Sequence, residues 1–487
     1  MRTVKIHYLT CVLLTLSASL FGQEKPNVLF IAIDDLNDYV NCMHGAIQVP
    51  TPNIDRLAEQ GALFTNAHCQ APICGPSRAS IMTGLYPSTS GNYLQLRDDD
   101  IRKSNALTSK AIFMPDYFEQ YGYKTMAVGK IYHNGDGAKT FDEYGGTLGK
   151  FGPKPKERFK YDPSKIKGKV GSTQTDWGPY PDKDELMPDF KSAKWAVNKL
   201  EQEHEKPFFL AVGFVRPHVP WYVPKKWFDL FPVDHIKTPP YKEDDYDDIP
   251  DFGKQVTHAP MMPTTEELIA SNEWKYAVQA YMACTAFVDA QVGKVLDALA
   301  KSKYANNTIV VLWSDHGYHM GEKNRFAKQA LWERDTRTVL IFKDIHARGG
   351  QTIGHAVQLL DIYPTLLELC HLTPNTLNEG HSLAGLIQKP DMDWPYPAIS
   401  NYGKGNIAIR TAQYRLIQYE DGSQELYDME QDPNEWDNLA SSEAHQGIIR
   451  GLQQFIPKKW ADVSAFNHYP FNAYFKGRMT SGMIQNK

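Results

Sequence analysis

Carboxylates follow two apolar runs of the chain and could act together on a cation. Asp34 and Asp35 come directly after residues 28–33. Asp315 and His316 come directly after "NTIVVLWS". Adjacent carboxylates repel each other unless a cation or hydrogen-bond donors compensate them. An oxygen-rich cluster suits Ca²⁺ or Mg²⁺, whereas the imidazole also admits a softer metal. Taken alone, the first pair could equally be a helix cap and a surface acid.

A cysteine lies in a third stretch, "ICGPSRASIMTG", at residues 73–84. After Pro76 this stretch reads as the first turns of a helix that Gly84 ends. Cys74 would then sit just before a helix N-terminus, where backbone N–H groups favour anions, and Arg78 adds positive charge. The residue could be a buried structural cysteine or a nucleophile. Thiol catalysis, however, needs a nearby base and gains nothing from acidic metal ligands.

Strand and helix patterns alternate around these stretches. Short apolar runs at 28–33, 124–133 and 207–221, and the run that ends before Asp315, are typical of buried parallel strands. Helical patterns occupy 276–302 and Thr51–Phe64, the latter with Asn53 as its cap and Gly61 as its end. The alternation predicts a mostly parallel α/β sheet with helices on both faces. Such sheets bind ligands beyond the carboxyl ends of their strands, where the polar clusters lie.

The last part of the chain has a different texture. From about residue 391 the pattern indicates two or three short antiparallel strands, with a turn at Asp421-Gly422. We therefore predict a catalytic domain at 23–390 and a smaller C-terminal subdomain at 391–487. The acidic run 242–251 is typical of a solvated loop, with a calcium-binding loop as the alternative.

The N-terminus predicts export. Arg2 and Lys5 precede an apolar run of about a dozen residues that ends in a polar exit, which is the pattern of a signal peptide at 1–22 and is too short to span a membrane. We expect a periplasmic or secreted protein. The net charge of −5 points neither to nucleic acid nor to an anionic membrane. Five cysteines lie beyond the signal peptide, too few for a disulfide scaffold, and the odd number indicates a special thiol.

The cysteine motif resembles a family signature. "CGPSR" at 74–78, followed by "TG" at 83–84, resembles the C-x-P-S-R-x-x-x-x-T-G signature of type I sulfatases. "NVLFIAIDDL", "PHVP", "SDHGYHMGEKNRFAK" and "ELYDMEQDPNEWDNL" agree with the family in order and spacing. Within it, "VGKIYH", "PFFLAVGFVRPHVPW" and Lys328, twelve residues beyond His316, most resemble the iduronate-2-sulfatase group. The resemblance implies an alkaline-phosphatase-like mixed, mostly parallel sheet flanked by helices, with a smaller C-terminal α+β subdomain that carries a short antiparallel sheet.

The resemblance also implies a cofactor and a maturation partner. Residue 74 would be converted to Cα-formylglycine by a formylglycine-generating enzyme. One Ca²⁺ would be bound by side chains at the two strand ends and by an oxygen of the modified residue. These metal ligands would be Asp34, Asp35, residue 74 (Cys74 in the sequence), Asp315 and His316.

The same resemblance assigns catalytic roles. The hydrate of residue 74 would attack sulfur, while Arg78 and Lys130 stabilise it. His218 or Lys328, which would contact the sulfate ester, would protonate the leaving oxygen, and His133 would take the proton from the second hydroxyl. Taken singly, the lysines and histidines in this set would be ordinary surface or loop residues. Their joint match in order and spacing favours the functional interpretation.

We expect a sulfuric ester hydrolase that acts on a sulfated carbohydrate. Its substrate could be a 2-sulfated uronic acid or an algal glycan such as ulvan, with Trp221, Tyr222 and Arg97 as candidates for sugar contacts. One alternative is a phosphatase or phosphonate hydrolase of the same fold, although such enzymes usually carry Ser or Thr as nucleophile and two zinc ions. Another is a catalytically silent carbohydrate-binding homologue.

Overall fold

The computed structural model describes residues 25–133, 137–468 and 474–475. The predicted signal peptide at 1–22 lies outside the described residues. Fifteen strands occur in this part of the chain: β1 (Asn27–Ile33), β2 (Ala62–His68), β3 (Lys124–Gly129), β4 (Glu143–Tyr144), β5 (Trp177–Pro179), β6 (Phe208–Phe214), β7 (Trp221–Val223), β8 (Thr308–Ser314), β9 (Arg337–Lys343), β10 (Gln351–Ile353), β11 (Val357–Gln358), β12 (Ala398–Asn401), β13 (Ile407–Arg410), β14 (Tyr414–Gln418) and β15 (Gln424–Asp428).

The α-helices of the described residues alternate with the strands of the first sheet and pack on its two faces. They are α1 (Pro52–Gln60), α2 (Cys74–Thr83), α3 (Pro87–Ser90), α4 (Met114–Gln120), α5 (Pro188–Leu200), α6 (Lys225–Phe228), α7 (Asp251–Thr257), α8 (Thr265–Ala270), α9 (Trp274–Lys301), α10 (Glu333–Thr336), α11 (Ile362–Leu369), α12 (Ala384–Gln388) and α13 (Gln446–Gln453).

The main sheet is mixed and mostly parallel. Its strand order is β10-β2-β9-β8-β1-β6-β3-β4, and β11 also pairs with β2. Only β9 runs antiparallel to its neighbours β2 and β8 among the described strands. Every residue of β1, β6 and β8 is buried, because helices cover both faces of the sheet. The predicted fold class is confirmed.

The register of the central strands aligns their carboxyl ends. Ile33 of β1 lies opposite Phe214 of β6 and opposite Ser314 of β8. The residues that follow Ile33 and Ser314 therefore leave the sheet side by side. Alternate residues of β1 point into the two cores, Phe30 into one and Ile31 into the other, so the strand is fixed from both faces.

The helix predicted at Thr51–Phe64 is only partly correct. The helix α1 begins at Pro52 and ends before Gly61, but residues 62–64 belong to β2, where pairing with β9 overrides the local helical pattern. Asn53 lies inside the helix and does not cap it. Its side-chain amide donates instead to Asp289 of α9, with Nδ2 2.8 Å from Oδ2.

A second sheet of four antiparallel strands, in the order β12-β13-β14-β15, follows in the chain. The turn between β14 and β15 contains Gly422 at φ +89°, the left-handed conformation that glycine adopts without strain. The predicted antiparallel texture is thereby confirmed, whereas the division of the chain at residue 391 stays a prediction. Among the described residues, no helix is both long enough and apolar enough to cross a membrane.

The acidic run 242–251 is not simply a solvated loop. Asp245 is buried, and its Oδ1 lies 2.6 Å from the Nζ of Lys323, which is also buried. A buried carboxylate needs such a partner, because removing it from water unpaired is unfavourable. Part of the run therefore belongs to the interior.

Candidate active site

The aligned ends of β1 and β8 bring the predicted carboxylates together. The backbone N–H of Asp35 donates to Oδ1 of Asp315 over 3.1 Å, and both residues are buried. Asp35 has φ +61°, a left-handed conformation that costs energy for a residue with a side chain. The phenol of Tyr281 on α9 supports this turn by donating to the carbonyl of Asp35 over 2.7 Å. The fold thus holds one carboxylate in a strained position at the sheet edge.

Cys74 lies at the centre of this cluster. It is the first residue of α2, one position further into the helix than its sequence predicts. Its Sγ is 3.2 Å from Nε2 of His316, 3.2 Å from Nζ of Lys328 and 3.8 Å from Nζ of Lys130. Burial alone would raise the pKa of this thiol, but the two ammonium groups and the imidazole hold the pKa well below its usual range. The surroundings therefore favour an anion at this position.

Arg78, one turn along α2, links the two carboxylate pairs. Its Nε donates to Oδ2 of Asp315 over 2.9 Å, and its Nη2 donates to Oδ1 of Asp34 over 3.2 Å. Its Nη1 donates to the carbonyl of Ile131 over 2.9 Å. The guanidinium is buried, so these charge-assisted bonds are strong and directional. It positions two carboxylates beside residue 74.

A divalent cation fits the donors of this cluster. Oxygen Oδ2 of Asp35 is buried and has no hydrogen-bond partner, although buried carboxylate oxygens are normally satisfied. Nδ1 of His316 is 2.9 Å from the carbonyl of Gly317, an acceptor, so Nδ1 carries the proton and Nε2 is free to bind a metal. Ligand atoms of Asp34, Asp35, Cys74 and His218 lie within 4.8 Å of one another, as do those of Cys74, Asp315 and His316.

Two lysines balance the carboxylates. Nζ of Lys130 contacts Oδ2 of Asp34, and Nζ of Lys328 is 2.5 Å from Oδ1 of Asp35. Burial alone would raise the pKa of Asp34, but Lys130 and Arg78 are among the charges that hold its pKa below the usual range. The carboxylates are therefore ionised and the pocket retains positive charge around Cys74.

The two predicted histidine bases differ in their surroundings. Burial lowers the pKa of His133, although the nearby Cys74 opposes the shift, so a neutral imidazole is favoured there. Nδ1 of this ring is buried without a hydrogen-bond partner. His218 instead stacks on Phe151 with ring centroids 4.7 Å apart, and its Nε2 is 3.9 Å from Oδ2 of Asp35.

The structure brings all of the predicted site residues into this one cluster, and their catalytic and ligand roles stay predictions. Residues that the sequence did not reveal also support it. Arg216 is buried and donates to the carbonyl of His218 over 3.0 Å, which fixes the loop that carries this imidazole. Its place between strand and proline was its only signal in the sequence, and Tyr281 had none. The members of the cluster are Asp34, Asp35, Cys74, Arg78, Lys130, His133, His218, Asp315, His316 and Lys328.

The predicted sugar contacts are largely wrong. Trp221 is fully buried, where it packs edge-on against Tyr281 in the core under α9. Tyr222 is also buried, and its hydroxyl donates to Asp176. Neither ring is free to stack on a carbohydrate. Arg97 is exposed.

Comparison with known proteins agrees with this geometry. Residues 26–372 match the family described as sulfatase, and residues 321–462 match the C-terminal family of N-sulphoglucosamine sulphohydrolase. A sulfatase from Formosa agariphila is 48% identical over 95% of this chain and 92% of its own length. Iduronate 2-sulfatase from Mus musculus is 28% identical over 88% of this chain and 93% of its own length.

Solved structures share the fold. One of them, in complex with its substrate D-glucosamine-2-N,6-O-disulfate, superposes with a TM-score of 0.67 at 22% identity. The match covers 88% of this chain and 96% of that one. At this level of identity the likeness concerns the arrangement of the sheet and its helices.

Proposed function

The chain belongs to the sulfatase family and is a sulfuric ester hydrolase, and we propose that it removes sulfate from a sulfated carbohydrate through an oxidised residue 74. The observation that carries the proposal is the position of Cys74. Its sulfur lies within 4.0 Å of two ammonium groups, an imidazole and a carboxylate, at the start of a helix. No ordinary base is needed to explain such a set of charges, but an anionic reacting group is.

Conversion to Cα-formylglycine would supply a hydrated aldehyde, of which one oxygen attacks sulfur and the other allows the sulfate to leave. The residues around it are suited to that task. Arg78 and Lys130 would hold the hydrate in one orientation through their fixed positive charge. His133, kept neutral by burial, would accept a proton from the second oxygen.

Protonation of the leaving oxygen would fall to the opposite side of the site. Lys328 and His218 both lie beside Asp35, and each carries a nitrogen that faces the cluster. Between them, these groups and Arg78 would also balance the negative charge that builds up on the sulfate oxygens during the reaction.

We further propose that one Ca²⁺ is held by Asp34, Asp35, Asp315 and His316 together with an oxygen of residue 74. The ion would lower the pKa of the attacking oxygen and neutralise charge on the sulfate. The partnerless oxygen of Asp35 and the free Nε2 of His316 support this assignment. Hard carboxylate oxygens are typical of calcium sites, whereas the imidazole is the less common ligand.

The substrate would be a sulfated polysaccharide or oligosaccharide, with a 2-sulfated uronic acid as the first candidate and an algal glycan such as ulvan as the second. The relation to an enzyme named iduronate 2-sulfatase supports the first. Export through the predicted signal peptide would bring the enzyme to such polymers, and a formylglycine-generating enzyme would be needed during maturation.

The proposal is tested by turnover and by the state of residue 74. Purified enzyme is assayed with 4-methylumbelliferyl sulfate and with p-nitrophenyl phosphate, and we expect release from the sulfate ester to dominate. Mass spectrometry of the tryptic peptide 57–78 should show an aldehyde at residue 74 in active preparations. Full activity with an unmodified thiol would disprove the mechanism, and preferential phosphate release would favour a phosphatase. A screen of defined sulfated oligosaccharides then identifies the freed hydroxyl.

A further inference from the structure

A basic cavity lies beside the chain segment that leads into Lys328. Its volume is about 180 Å³, and residues 324–327 form part of its wall. No carboxylate lines it. The charged and titratable side chains that line it are Lys169, Lys254, Arg325 and His258.

Arg325 is the unusual member of this wall. It is only 6% exposed, and its Nε and Nη1 have no hydrogen-bond partner. Within the described residues, no carboxylate lies at ion-pair distance from its guanidinium. Lys169, by contrast, is paired with Glu267, with Nζ 2.8 Å from Oε2. A buried guanidinium without an anionic partner is unfavourable, so this one is held ready for an anion that the chain itself does not supply.

The cavity is mechanically connected to the active site. Nη2 of Arg325 donates to the backbone carbonyl of Lys328 over 2.7 Å, and the ammonium of Lys328 is 3.2 Å from Sγ of Cys74. Three residues of extended chain span at most about 11 Å, so the two side chains can contact one ligand at the same time. One ligand with two anionic groups could therefore reach both places.

We propose that this cavity binds a second anionic group of the substrate, a carboxylate or a second sulfate, while the ester at residue 74 is cleaved. The inference rests on the proposed function, because it concerns the same substrate. A guanidinium binds either oxyanion through two parallel hydrogen bonds, and its free Nε and Nη1 suit that geometry. Lys254, which has no ion-pair partner among the described residues, adds a second positive charge on the wall.

Substitutions of the cavity test the proposal by binding, without turnover. Calorimetry is performed in the Cys74→Ala background with a 2-sulfated uronyl disaccharide that carries a carboxylate and a second sulfate. Arg325→Gln should weaken binding by about 10- to 100-fold, which is the value of a hydrogen bond to a charged group. Lys254→Gln should weaken it less, because that side chain is partly exposed. Arg56→Gln on α1, whose partner is Asp297, removes the same charge elsewhere and should change nothing.

Two modified ligands identify the anion. If a carboxylate occupies the cavity, the carboxyl-reduced disaccharide binds wild type and Arg325→Gln equally. If a second sulfate occupies it, the disaccharide without that sulfate does so. Equal affinity of wild type for the intact disaccharide and for both modified forms would overturn the proposal.

Hydrolysis of 4-methylumbelliferyl sulfate, which has no second anion, separates this idea from its alternatives. With Cys74 in place, Arg325→Gln should leave kcat/KM for this ester within about threefold, a change below one hydrogen bond. A parallel loss for both ligands would mean that Arg325 only positions Lys328, which also overturns the proposal. Failure of the wild-type enzyme to cleave any sulfate ester would instead refute the proposed function, whereas the calorimetric comparison would still decide the cavity.

Discussion

Two buried clusters of charge lie on either side of Lys328 and differ in how completely their polar atoms are paired. One is the active-site cluster around Cys74. The other joins the segment 323–333 to the C-terminal sheet, and we call it the junction network. Its members are Asp245, Lys323, Glu333, Arg410, Arg415 and Glu435.

The junction network supplies its own partners. Oε2 of Glu333 is 3.1 Å from Nε of Arg410 and also accepts from Arg415. The backbone N–H of Glu333 donates to Oε2 of Glu435 over 2.8 Å, and Oε1 of Glu435 is 3.1 Å from Nε of Arg415, as an ion pair rather than an aligned hydrogen bond. Burial alone would raise the pKa of Glu333, but the two arginines hold it well below the usual range. These charges are spent on holding two parts of the chain together.

The active-site cluster leaves atoms unpaired. Oδ2 of Asp35 has no hydrogen-bond partner and its backbone is in the left-handed region, while Arg325 next to the cluster has two free donors. Such features lower stability and persist where ligands use them. The contrast teaches that, in this fold, a buried charge with a complete set of partners serves structure and one without serves binding. The following substitutions should separate the two.

The largest expected effect is on catalysis. Cys74→Ala should lower kcat/KM for 4-methylumbelliferyl sulfate by at least about 10³-fold, as loss of a covalent nucleophile does. The thermal midpoint should be unchanged or higher, because removal of this side chain leaves fewer opposing demands on the surrounding charges. Cys284→Ala, at a buried free thiol of α9, is the matched control and should keep its activity. Retained activity in Cys74→Ala would remove the basis of the comparison.

Metal binding should distinguish the clusters next. Chelation should abolish activity and lower the thermal midpoint, and added Ca²⁺ should restore both, since a ligand at 100 times its Kd stabilises by about 2.7 kcal/mol. Asp35→Asn should lose the Ca²⁺-dependent rise, whereas Glu333→Gln should keep it. Differential scanning calorimetry with and without Ca²⁺ measures both variants without reference to turnover. A rise of equal size in Asp35→Asn would place the ion elsewhere.

The junction network should show the opposite phenotype. Glu333→Gln leaves Arg410 and Arg415 buried with a weaker partner, so the free energy of unfolding should fall by about 3–5 kcal/mol. Activity per folded molecule should be unchanged. Denaturant titration and active-site counting give the two quantities, and loss of activity at full stability would contradict the assignment.

The pH dependence of this loss follows from the lowered pKa. Since the folded state keeps Glu333 ionised more readily than the unfolded state, its contribution is present above the unfolded pKa of about 4.5 and is lost as the pH falls through the folded value. The difference between wild type and Glu333→Gln should therefore be full at neutral pH and shrink in acid. Glu435 should behave oppositely, because burial raises its pKa to about 7 and its charged form opposes folding as the pH rises from about 4.5 to 7.

The sequence predicted the elements that depend on local patterns. β1, β6 and β8 are continuous apolar runs because they are buried on both faces, and the polar residues that follow them mark the edge of the sheet. Residues 62–64 were predicted as helix because only pairing with β9, far along the chain, makes them a strand. Local preference could not decide between the two.

Features set by distant packing escaped prediction. Tyr281 supports Asp35 across 246 positions of the chain, so neither residue's neighbours signal the contact. Trp221 resembled a sugar-stacking residue by type alone, and only the packing of α9 over it shows that it is core. Arg325 carried no signal either, because what marks it is the absence of a partner in three dimensions.

A third class of ion pair sets the lower limit of the comparison. Lys225 and Asp229 are paired four positions apart at α6, with side chains 75% and 57% exposed. Water solvates both charges, and the order of lysine before aspartate is the weaker one in a helix, so Lys225→Ala should change the free energy of unfolding by no more than about 0.5 kcal/mol. Chemical denaturation beside Glu333→Gln gives the ratio directly. A loss near that of Glu333→Gln would mean that pairing alone, rather than burial with complete partners, determines what these charges contribute.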